Sequence, residues 1–90
     1  MKDLCRNILL GDRMTVEEYK KRLCDNLRVA RRNRGLTQIV ASERIGHAKA
    51  TVGTWENHTG LPRIETLLKI CELYGVEPAD LFSKDLVVKE

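Results

Sequence analysis

The chain is 90 residues long, 42% hydrophobic and 32% charged, with a formal net charge of +3. That length allows one small domain with little volume for a buried active site, and the composition is too apolar for a chain disordered throughout. The longest apolar run near the start, Ile8-Leu9-Leu10, is far too short for a signal peptide or a membrane span, so a cytoplasmic protein without a membrane partner is expected.

With one Trp, one Phe and two Tyr, the core has to come from Leu, Ile, Val and Ala, a mix that favours helices. Residues 1–14 read as an N-terminal extension in which Leu4, Ile8 and Leu9 line one face of a short helix ended by Gly11-Asp12. Thr15-Val-Glu-Glu18 then spells a capping box, in which the threonine hydroxyl accepts from the third helical amide and Glu18 reaches back to the cap's own N–H. Behind it Val16, Tyr19, Leu23, Leu27 and Ala30 recur at helical spacing. They predict a long helix that runs to Asn33-Arg34 and stops at Gly35, a natural residue for the left-handed turn after a helix.

Thr37 is a good N-cap for a second helix, with Ile39, Val40 and Ala41 turned partly inward and Ile45 near its end. Gly46 supplies the turn, and a third helix is expected from about Ala48 to Asn57, burying Val52 and Trp55. After the loop His58-Thr-Gly-Leu and Pro62, the positions Ile64, Leu67, Leu68, Cys71 and Leu73 mark a fourth helix closed by Gly75. Pro78 opens a short fifth helix carrying Ala79, Leu81 and Phe82. One domain over 15–82 is thus expected, followed by a tail at 83–90 whose Leu86-Val87-Val88 reads either as a strand or as loose chain.

Charge is distributed unevenly. From Lys20 to Arg44 eight cations face two anions, whereas from Glu65 to Glu90 three cations face six anions. Such a molecule presents one basic face and turns an acidic one away. The three cysteines, Cys5, Cys24 and Cys71, lack the CxxC spacing of zinc sites, so reduced buried thiols and no metal are expected. No nucleophile–base arrangement, glycine-rich phosphate loop or carboxylate pair beyond Glu17-Glu18 is visible, which argues against an enzyme and against a cofactor.

Several residues in order and spacing now point one way: Arg31, Gly35-Leu36-Thr37-Gln38, Ala41, Ile45-Gly46, Val52, Trp55-Glu56-Asn57, Pro62, Leu67-Leu68, Leu73-Tyr74-Gly75-Val76 and Asp80-Leu81-Phe82. Over about two thirds of the chain they resemble the helix-turn-helix domain of the phage repressor and Cro family. The resemblance implies an all-α, five-helix lambda-repressor-like bundle, here with a short N-terminal extension. It also implies that the third helix enters the major groove of double-stranded DNA. Carried over by position, Lys49, Ala50 and Thr54 contact bases, and Gln38, Thr51, Asn57 and Arg63 contact phosphates. Arg31 and Glu56 form a structural ion pair. The side chains suit these roles: Lys donates to guanine O6 and N7, Ala meets a thymine methyl, and Thr bonds either base type. Trp55 falls on the Val52 side of its helix and is expected in the core rather than stacked on a base.

Three positions depart from the family pattern. Ala48 stands where the family has a Ser or Thr cap, which forfeits about 1 kcal/mol unless His47 or water substitutes. Gly53 lies inside the helix, at a cost of about 1 kcal/mol relative to Ala. His58 replaces the glycine that ends the family's helix, and Gly60 is expected to take the unusual dihedral instead.

The resemblance implies a sequence-specific transcription regulator, a repressor in the commonest case, acting as a homodimer on a near-palindromic operator; no fused ligand-binding, protease or self-cleavage domain is visible, so no small-molecule effector is expected. Dimer contacts are sought in Leu4–Leu10, around Phe82 and in Leu86-Val87-Val88. Two other readings stay open: an antitoxin-type autoregulator, and a protein-interaction module that has lost DNA binding.

Overall fold

The structure is a computed structural model and describes residues 14–83. Four α-helices follow one another: α1 (Val16–Asn33), α2 (Gln38–Arg44), α3 (Thr51–Glu56) and α4 (Ile64–Tyr74). A 3-10 turn at Pro78–Phe82 closes the bundle, and no strand occurs among the described residues. The expected helix around Leu4–Leu9, Cys5 and the Leu86-Val87-Val88 tail lie outside the described residues.

Local chemistry sets the ends of these elements. Thr15 accepts from the Glu18 amide at 3.1 Å while Glu18 Oε1 accepts from the Thr15 amide at 2.8 Å, completing the capping box of α1. Thr37 caps α2 by accepting from the Val40 amide at 3.1 Å. Gly35, Gly46 and Gly75 all take positive φ at the turns after α1, α2 and α4.

The fifth helix expected from Pro78 is a 3-10 turn, and the reason is tertiary. Asn26, buried on α1, donates from Nδ2 to the carbonyls of Leu81 at 2.8 Å and Ser83 at 2.7 Å. Those carbonyls are thereby turned sideways onto α1, and the segment is too short to prefer an α-helical ladder. Arg34, the C-cap of α1, likewise donates to the Leu73 carbonyl at the end of α4, at 3.1 Å. α1 is therefore the element against which the others are fastened.

The core joins Leu23, Leu27 and Ala30 of α1 to Ala41, Ile45, Val52, Trp55, Leu67, Ile70, Tyr74 and Leu81. Several apolar residues expected on inner faces are exposed: Val16, Tyr19, Ile39, Ile64 and Leu68. Val16 and Tyr19 sit on the first turns of α1, where it overhangs the core, and Tyr19 meets Phe82 edge-on at 6.2 Å. α2 has only seven residues, so Ala41 alone of its apolar trio is fully buried.

Cys24 and Cys71 are free and buried, and burial raises both thiols above their ordinary value of 9.0. Burial likewise raises the Tyr74 phenol well above 10.0. All three groups hold their protons longer in the folded state, so the unfolded chain binds fewer protons at alkaline pH. Stability is thus expected to be fully present below pH 9.0 and to fall as pH rises past it. Thermal unfolding between pH 7 and 11 checks this, and the Cys24→Ala, Cys71→Ala double variant should show a shallower decline.

Candidate nucleic-acid interface

α3 is shorter than its sequence promised. It begins at Thr51 rather than Ala48 and ends at Glu56 rather than Asn57. Lys49 and Ala50 form a turn ahead of it, with the Thr51 amide donating to the Ala48 carbonyl at 3.0 Å. The inner side of α3 carries Val52, Trp55 and Glu56, all buried, while Thr54 is exposed on its outer side and Lys49 and Ala50 are exposed in the preceding turn. Thr51 is half-buried, and Asn57 and Arg63 are exposed at the end of α3 and the start of α4. The Thr54 hydroxyl donates to the Ala50 carbonyl at 3.1 Å, which leaves its oxygen lone pairs free to accept.

The missing cap at Ala48 is compensated, but not by His47. Ser42, fully buried on α2, accepts the Val52 amide proton at 3.0 Å. An orphan N–H at the start of α3 is thereby satisfied from the neighbouring helix. Ala41 and Ser42 are small enough for α2 to approach α3 closely. His47 instead lies edge-on to Trp55, with ring centroids 5.7 Å apart, covering the indole from outside.

Glu56, whose side chain is fully buried, anchors the other end of α3. Arg31 donates to it twice, from Nε to Oε2 at 2.7 Å and from Nη2 to Oε1 at 2.9 Å. The hydrogen bond to Glu56 holds the guanidinium above its ordinary value, against the opposing effect of burial. A third donor of Arg31, Nη1, reaches the Leu36 carbonyl at 2.7 Å in the turn between α1 and α2. Arg28 adds a longer contact, its Nε 3.7 Å from Glu56 Oε1. Gln38 donates from Nε2 to the same oxygen at 3.0 Å.

The amide of Gln38 therefore faces inward, across α3. A carboxylate only accepts, so its nitrogen must face Glu56 and its oxygen the other way. That oxygen rests where Gly53 has no side chain: a Cβ built there would lie 3.0 Å from it.

His58 itself takes the left-handed conformation, at φ 65°, and Gly60 does not. Its side chain explains the choice, because Nε2 meets Asp25 Oδ1 of α1 at 2.9 Å. The loop after α3 is thus tied to α1, at a backbone cost of about 1–2 kcal/mol. Among the described residues no group of His, Cys, Asp and Glu could hold a metal ion, and no helix is long and apolar enough to cross a membrane.

Sequence reasoning missed Ser42, Arg28 and the seat of Gln38 on Gly53. Arg28 carried a signal, since it lies one turn before Arg31 on the same face of α1. Ser42 carried none: its partner is ten residues away and its role depends on how closely two helices pack.

A family model described as helix-turn-helix matches residues 27–81, more than half of the chain. The chain belongs to this Cro/C1-type helix-turn-helix family, one of DNA-binding transcription regulators. No curated protein and no solved structure matches it.

Removing either end-anchor of α3 is expected to destabilise the fold by different amounts. Glu56→Gln leaves the buried Arg31 charge without its counterion and should cost about 3–5 kcal/mol. Ser42→Ala orphans one buried amide and should cost about 1–3 kcal/mol. Urea denaturation followed by circular dichroism measures both; a smaller loss for Glu56→Gln than for Ser42→Ala would contradict this ranking.

Proposed function

We propose that this protein is a sequence-specific regulator, a repressor, that inserts the segment 48–57 into the major groove of an operator. In this reading Lys49, Ala50 and Thr54 meet base edges. Gln38, Thr51, Asn57 and Arg63 hold the phosphate backbone, and two copies occupy half-sites about 34 Å apart.

One observation supports the reading above the others: the three base-reading candidates are all exposed, Thr54 on the outer side of α3 and Lys49 and Ala50 in the turn that leads into it. Charge supports it too. The cations of α1 and α2 outnumber their anions, a balance suited to a polyanion, whereas the sequence from Glu65 onward is acidic.

Selection from a random DNA pool tests the proposal, and enrichment of a near-palindromic site with half-sites one helical turn apart is the expected result. Affinity for that site should fall steeply from 50 to 200 mM salt. Lys49→Ala should relax preference at one base position, at a cost of about 1–3 kcal/mol there. Uniform weakening on every sequence would assign Lys49 to phosphate. Recovery of no sequence, with no measurable binding near 50 mM salt, would refute the regulator reading.

A further inference from the structure

We infer that Gly53 is a positioning residue: by lacking a side chain it seats the Gln38 amide across α3 and so fixes the direction of that amide at the DNA-facing side. The inference deepens the proposed function and rests on it for its DNA-binding consequence.

A glycine in the middle of α3 is unexpected on local grounds. The helix has six residues and no side-chain cap, so it has little stability of its own to lose. Alanine at this position would favour the helix in isolation. Its Cβ, however, would sit 3.0 Å from Gln38 Oε1 and 3.5 Å from Cδ. Side chains rarely tolerate such an approach, and the yielding partner is the end of a flexible glutamine rather than backbone. The glutamine amide would have to give by a few tenths of an ångström, and with it would shift the donor that holds Glu56 Oε1 at 3.0 Å.

The seat matters because Gln38 has two amide hydrogens and Glu56 takes one of them. With Oε1 against Gly53 and one N–H on Glu56, the plane of the amide is set, and the second N–H has a defined direction. A glutamine held at both ends donates to a phosphate without first being ordered, whereas a free one loses rotamer freedom on binding. Gly53 thus acts on DNA through Gln38, with no contact of its own required.

Gly53→Ala, Gln38→Ala and the double variant test this. Thermal unfolding and DNA affinity are measured on each, the affinity on the site recovered by selection. Gly53→Ala in the otherwise native chain should weaken DNA binding about fivefold, the effect of one hydrogen bond, with no loss of melting temperature. In the Gln38→Ala background the same substitution should leave affinity unchanged and raise the melting temperature by more than in the native background. Equal affinity losses in both backgrounds, or none in the native one, would overturn the inference. If the native chain binds no DNA, the regulator reading fails, and the melting temperatures alone then decide whether Gly53 and Gln38 are coupled: additive shifts reject the seat.

Discussion

The carboxylate of Glu56 is where this molecule comes together. It has no contact with solvent, and a buried anion is tolerable only if donors replace the water it has lost. Those donors come from two other helices, Arg31 from α1 and Gln38 from α2, and Arg28 of α1 adds an ion pair at 3.7 Å. Three helices are therefore related to one another by a single group whose geometry tolerates little displacement. Arginine is the residue for this duty, because its planar fork matches both carboxylate oxygens and still has a donor left for the Leu36 carbonyl.

Such an arrangement makes the orientation of α3 a property of its neighbours rather than of its own sequence. Its first turn is satisfied by Ser42, its centre is overlain by Gln38, its last residue is Glu56, and its exit loop is fastened to α1 through His58 and Asp25. A six-residue helix in water would not persist alone. Held in this way, it and the turn before it present a small outward surface, Lys49, Ala50 and Thr54, on a framework whose long member is α1. The same long helix fastens the 3-10 turn through Asn26 and the end of α4 through Arg34, so a disturbance of α1 reaches every other element.

Membership in the helix-turn-helix family is consistent with this plan, and the departures from the family pattern find physical accounts within it. The lost cap at Ala48 is offset by the Ser42 hydroxyl on the neighbouring helix rather than by a residue next to it in the chain. Gly53 gives up helix propensity to make room for a glutamine. His58 accepts a strained backbone where its ring gains a partner in Asp25. Each departure has a compensation located on a different helix.

The features legible in the sequence are those that depend on near neighbours in the chain. The capping box at Thr15 and Glu18, the cap at Thr37, the glycine turns at 35, 46 and 75, and the core positions Leu23, Leu27, Val52 and Trp55 all follow from spacings of a few residues. What decided the capping of the Val52 amide by Ser42, the 3-10 form of Pro78–Phe82 and the inward turn of Gln38 was contact between residues 10 to 57 positions apart. Spacing within one helix sets which side chains share a face. Which donor fills a given empty place depends on how closely two helices approach, and that distance exists only after the chain has folded.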